Sequence, residues 1–70
     1  MATMALVRKV AARIKKLREE RHMTQEDLAV KAGVSRGYLA RVETGRHEPT
    51  LSTLEKLAKA LKVKVGKLLE

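Results

Sequence analysis

The chain has no cysteine, no tryptophan and no phenylalanine, and Tyr38 is its whole aromatic complement. Without cysteine, disulfides and zinc-finger spacing are both excluded. Without a set of aromatic rings, stability must come from aliphatic packing. There is no repeat, linker or low-complexity segment, so the 70 residues make one domain, 1–70, near the lower size limit for folding without staples. Long apolar runs are missing too, and nothing approaches a membrane span. The N-terminal stretch MATMALVRKVAARIKK holds only a four-residue apolar run, too short for the core of a signal peptide. A cytoplasmic location is therefore expected. Acids are scarce: eight Asp and Glu stand against sixteen Lys and Arg, a net charge of +8. A surplus of that size on a small domain favours a polyanionic partner through counterion release.

What is present is aliphatic residues at helical spacing. Leu6, Val10, Ile14 and Leu17 fall at steps of four, four and three, which predicts an amphipathic first helix over about 4–21. His22 closes it, where an imidazolium meets the negative end of the helix dipole. The apolar-basic character of this helix also suits a membrane surface or a calmodulin-type partner. The rest of the chain, however, needs the stripe to complete a core. A second helix is predicted over about 25–32 and a third over about 36–44. Arg46-His47-Glu48-Pro49 reads as a loop. Thr50 then caps a fourth helix that buries Leu51, Leu54, Leu57, Ala58 and Leu61, and a short fifth helix covers about 65–69. The expected fold is all-α, a compact five-helix bundle.

Residues 24–45, TQEDLAVKAGVSRGYLARVETG, carry the most information. Thr24 is a good N-cap, and Asp27 three residues on approaches the capping-box pattern. Leu28, Ala29 and Ala32 recur at helical spacing until Gly33, which tolerates the positive φ that a helix C-terminus asks for. Ser35 caps the next helix, Leu39 and Val42 face inward, and Gly45 ends it. Two helices this short, joined this tightly, form the pattern of a helix-turn-helix, a unit that offers its second helix to the DNA major groove. At 3.6 residues per turn, Arg36, Gly37, Ala40, Arg41 and Thr44 share the outer side of that helix. Arginine's planar fork can donate bidentately to guanine O6 and N7, and the small residues between the arginines let the helix sit deep in the groove.

The segment resembles the Cro/phage-repressor type of helix-turn-helix, the Xre-like bacterial regulators. The residues that carry the resemblance are Thr24-Gln25-Glu26, Leu28-Ala29, Ala32-Gly33-Val34-Ser35, Tyr38-Leu39, Val42-Glu43, Gly45 and Pro49-Thr50-Leu51, with Leu54, Leu57, Ala58 and Leu61. It extends over about 14–69, which leaves 1–13 as an N-terminal extension of the first helix. Two positions depart from the family pattern: Lys62 stands where glycine is usual, and Lys64 where a Ser or Thr cap is usual. Gly66 weakens the fifth helix further.

The resemblance implies base contacts from the positions of Ser35, Arg36, Gly37 and Arg41, although Gly37 has no side chain with which to read a base. It implies that Gln25 sets its amide and the N–H groups of a helix N-terminus against a phosphate, a location suited to an anion. Arg46, His47 and Thr44 are expected along the DNA backbone. Tyr38 has two roles open, packing on the bundle edge or reaching a phosphate with its hydroxyl. Glu43 lies toward the core, a costly place for a lone carboxylate, and the family pairs it with an arginine at the position of Arg18. The expected role of that pair is structural.

No Ser-His-Asp set, phosphate loop or metal-ligand spacing is visible, so no enzyme, catalytic residue, metal or cofactor is expected. The leading expectation is a sequence-specific transcriptional regulator, a homodimer on palindromic double-stranded DNA, acting at the nucleoid. The fifth helix carries more apolar residues than one contact face needs, which nominates Val63, Val65 and Leu69 for the dimer interface. No sensor domain follows residue 70, so control is expected through the protein's own concentration, as in phage Cro-type or restriction-modification controller proteins. The alternative is an antitoxin or another protein–protein interaction module with the same fold.

Overall fold

The computed structural model describes residues 3–70. Met1 and Ala2, the start of the N-terminal extension, lie outside the described residues. Five helices follow in order: α1 (Met4–Glu20), α2 (Gln25–Ala32), α3 (Arg36–Glu43), α4 (Leu51–Leu61) and α5 (Val65–Leu69). The all-α, five-helix architecture read from the sequence is the one observed.

Each of the first four helices starts at a hydroxyl cap. Thr3, Thr24, Ser35 and Thr50 accept from the N–H groups of Leu6, Asp27, Tyr38 and Thr53 at 3.0–3.1 Å. Helix α2 has the full capping box, because the Asp27 carboxylate also accepts from the Thr24 N–H at 2.9 Å. The bond from the Thr24 N–H first, and then the Thr24 hydroxyl beside the carboxylate, hold the Asp27 carboxyl below its usual range. Gly33 ends α2 at φ 73°.

The apolar stripe of α1 is the one read from its spacing at Val10, Ile14 and Leu17, but at its start Val7 replaces Leu6. Val7, Val10, Ala11, Ile14 and Leu17 are buried, whereas Leu6 is 39% exposed. Leu6 stands eight residues before Ile14, about 80° around the helix at 100° per residue, which places it at the edge of the stripe. Leu51, too, is exposed rather than buried. The first helix also ends earlier, at Glu20, with Arg21 as its cap and His22 beyond it at φ 55°.

The helices enclose an aliphatic core in which Ile14, Leu28, Leu39, Leu57, Leu61 and Leu68 have no exposed surface. Helix α1 packs on α3, α4 and α5, α2 packs on α3 and α4, and α4 packs on α5. Helix α3 therefore rests mainly on α1 and α2 and keeps one side free. Lys62 adopts φ 60° after α4 in place of the usual glycine, and Lys64 gives α5 no side-chain cap.

Candidate nucleic-acid interface

Helix α3 is held from below by one buried ionic cluster. The Arg18 Nε donates to Glu43 Oε2 at 2.8 Å and Nη2 donates to Oε1 at 3.1 Å, so the fork grips the carboxylate with two bonds. Its third nitrogen, Nη1, donates to the Met23 carbonyl at 2.7 Å, just before α2. The bond to Glu43 raises the Arg18 pKa further above an already high value, against the lowering by burial. Glu43 Oε1 also accepts from Gln25 Nε2 at 3.1 Å. Four residues thus join the end of α1, the start of α2 and the end of α3. The pairing of Arg18 with Glu43 read from the resemblance is present; the bonds to Met23 and Gln25 were not legible, because no spacing points Met23 to Arg18 or Gln25 to Glu43.

Above this cluster α3 turns an exposed face to solvent. Ser35, Arg36, Gly37 and Arg41 are all exposed, and Ala40 is half-buried between them. Leu39 and Val42 are buried beneath. Arg41 folds back along the helix, as side chains on a helix do: a Cβ on Gly37 would stand 3.9 Å from Arg41 Nη1. Gly37 thus leaves the face flat beside the arginine fork. Ser35 commits its oxygen to the α3 cap, which leaves its hydroxyl proton free to donate. Arg36 borders an open depression whose other walls are Arg18, Thr24, Gln25 and Glu26. The N-terminus of α2 and the first turn of α3 therefore share one concave surface.

The remaining polar positions are Thr44, Tyr38 and the loop after α3. Thr44 caps the helix and its hydroxyl donates to the Arg41 carbonyl at 2.7 Å. Tyr38 is half-buried; its hydroxyl lies 3.4 Å from Thr53 Oγ1, and its ring meets that of His47 edge-on at 5.0 Å and 73°. Arg46 is exposed in the loop. The structure thus gathers the side chains of Tyr38, His47 and Thr53 where α3 meets α4, and sets Gln25 with Arg36 where α3 meets α2.

This arrangement, two short helices at a tight left-handed turn with the second exposed and arginine-bearing, is a DNA-reading unit. Residues 14–68 match the family model HTH_3, helix-turn-helix. The chain belongs to that family, the Cro/phage-repressor, Xre-like regulators. This helix-turn-helix chain is 53% identical over 57 residues to the immunity repressor protein of Bacillus phage phi105, a match that covers 81% of the chain but 40% of the repressor. It superposes on the restriction-modification controller protein C.AhdI from Aeromonas hydrophila with a TM-score of 0.89 and 34% identity, covering 91% of this chain and 97% of that one. The clp gene regulator ClgR from Corynebacterium glutamicum gives a TM-score of 0.87 at 31% identity, covering 91% and 68%. The chain has the helix-turn-helix DNA-binding fold of these regulators, and it spans about half the length of several curated relatives that it matches. No helix among the described residues is long and apolar enough to cross a membrane.

Of the three positions nominated for a dimer surface, Leu69 is 44% exposed, whereas Val63 and Val65 are half-buried and pack on the core. Leu69 borders a depression lined also by Leu6, Val7, Val10, Pro49 and Leu54, with Glu48 at its edge; Leu6 and Leu69 are its exposed large apolar residues.

Proposed function

We propose that this regulator reads a palindromic operator as a homodimer, with α3 in the major groove of each half-site. The observation that carries the reading is the exposed α3 face, where Arg36 and Arg41 flank Gly37 and Ala40 and no acidic residue stands among them. Arg36 and Arg41 supply the bidentate contacts to guanine. Ser35 adds a hydroxyl donor, and Gly37 contributes closeness of approach. Gln25, Tyr38, Thr44, Arg46 and His47 meet the phosphates on either side. Gln25 keeps its amide oxygen uncommitted and its nitrogen on Glu43, so a phosphate at the α2 N-terminus is met by backbone N–H groups and by an amide already held in place. The Arg18–Glu43 pair ties α1 to α3, and the bond from Gln25 ties the start of α2 to the same carboxylate, which supports the placement of the two helices on which this geometry depends.

Self-association is assigned to the depression between α1, the loop before α4, and α5, with Leu6, Pro49 and Leu69 in place of Val63 and Val65. A two-fold pair sets two recognition helices about one DNA turn apart. Two relatives are named as an immunity repressor and a restriction-modification controller protein, which favours the regulator reading over the antitoxin one.

Selection of bound sequences from a random DNA pool tests the whole reading. The expected result is a consensus with two inverted half-sites, each containing guanines. Recovery of no consensus, or of a single asymmetric site, would overturn it.

A further inference from the structure

The α3 face leaves most of the positive charge without a role. Arg36, Arg41 and Arg46 are three of sixteen basic residues, while α1 carries Arg8, Lys9, Arg13, Lys15 and Lys16 before its first acid, Glu19. Two contacts mark the edge of α1 that runs beside α3. Toward the C-terminal end, Arg18 grips Glu43. Toward the N-terminal end, the stem of Arg8 lies on Gly45: a Cβ there would stand 3.0 Å from Arg8 Cγ and 3.4 Å from Arg8 Cα. Gly45 is the buried residue between Thr44 and Arg46, at the end of the recognition helix. From Arg8, steps of three and four residues lead along the same edge to Ala11, Lys15 and Arg18. Ala11 is buried, while Arg8 and Lys15 are exposed. Among the described residues neither has a carboxylate within ion-pair distance.

We infer that Arg8 and Lys15 form a second phosphate-binding edge. The DNA strand flanked by Thr44 and Arg46 continues past the end of α3 onto α1, where these two cations meet its phosphates and read no base. The inference rests on α3 entering the major groove. The absent Cβ of Gly45 lets the Arg8 stem lie against the loop residue next to Arg46, which brings the two arginines into one neighbourhood at the end of α3. An arginine fork matches the geometry of a phosphate, and a lysine ammonium serves as a point charge. Arg8 precedes the residues 14–68 that match the family, so this contact belongs to the chain's own extension of α1.

The experiment measures the full chain and its Arg8→Gln, Lys15→Gln and doubly substituted forms, titrated onto a selected duplex and a scrambled one across a salt series. Each substitution should lower the slope of log affinity against log salt by about 0.9. Both duplexes should weaken in parallel, with the thermal midpoint unchanged. Lys56→Gln with Lys59→Gln removes two charges from the trough between α2 and α4 and is the control for net charge; its slope should stay near that of the parent. An unchanged slope in the Arg8/Lys15 form, an equal fall in the control, or a loss of preference for the selected duplex would overturn the inference. If the parent itself shows no preference for the selected duplex, the α3 reading fails, and the slopes still decide whether α1 touches phosphate.

Discussion

Arg18 directs Nε, Nη1 and Nη2 at acceptors on two separate residues, and this determines what its loss would do. Arg18→Ala leaves the Glu43 carboxylate buried with only the Gln25 amide beside it. The expected destabilisation is about 3–5 kcal/mol, measured by urea unfolding. Arg18→Lys should recover little of it, since an ammonium cannot span both carboxylate oxygens. A double-mutant cycle with Glu43→Ala should show strong coupling, and additive costs would disprove the pairing. The arginines of α3 behave differently, because they are exposed and bear no load in the fold. Arg36→Ala and Arg41→Ala should leave the thermal midpoint nearly unchanged. Each should cost about 1–3 kcal/mol on the selected operator and relax preference at one base position. Arg46→Ala should weaken all sequences about equally and lower the salt slope by about 1. Parallel losses on operator and scrambled DNA for Arg36 and Arg41 would show that they hold phosphates only.

Among the helices, α5 has the poorest local support. Lys62 occupies a left-handed conformation that glycine adopts without strain, Lys64 offers no cap, and Gly66 lies inside the five-residue helix. Leu68, fully buried, is what fastens α5 to the bundle. Lys62→Gly should therefore stabilise by about 1 kcal/mol, and Lys64→Ser by roughly 1 kcal/mol through a new N-cap bond. Both are read as a rise in thermal midpoint, and a fall on either substitution would contradict the assigned cap. Helix α2 is the opposite case, with a reciprocal cap at its start. The folded Asp27 pKa lies below its ordinary value near 3.8. Its contribution to stability is thus complete above that value and is lost as pH falls through the lowered one. The stability difference between the parent and Asp27→Asn should be constant at neutral pH and shrink in acid. A difference independent of pH would mean that the carboxylate's charge plays no part in the cap.

At the scale of the whole molecule, seventy residues with an aliphatic core leave a small margin of stability and a small surface for DNA. A single recognition helix reads only a few bases, so doubling the unit is what adds length to the site. The apolar depression beside Leu69 is the surface assigned to that doubling. Leu69→Glu should shift the protein to monomer in light scattering and reduce operator affinity, with little change in the helical far-UV signal. Leu69 is exposed, so an unfolded product is not expected. A parent protein that stays monomeric at high concentration, and that binds one copy per operator, would defeat the dimer.

The sequence by itself determined the helices, their caps and the identity of the reading unit. These are set by local rules: a hydroxyl before α2, α3 and α4, aliphatic residues every three or four positions, and glycine at the turns after α2 and α3. It also marked Arg36 and Arg41 as outward, because within one short helix 3.6 residues per turn fixes which side chains share a face. Only the tertiary structure decided which edge of each helix is covered. Leu6 and Leu51 carry the same apolar signal as Val7 and Leu54, yet they lie on the surface, because burial depends on where neighbouring helices pass. Val63 and Val65, nominated from the sequence for a partner surface, are half-buried and also touch the core. The bond from Gln25 to Glu43 and the seat of Arg8 on Gly45 join residues far apart in the chain. No periodicity encodes such contacts; they arise when α1, α2 and α3 converge on one buried carboxylate and the packing angle brings their ends together.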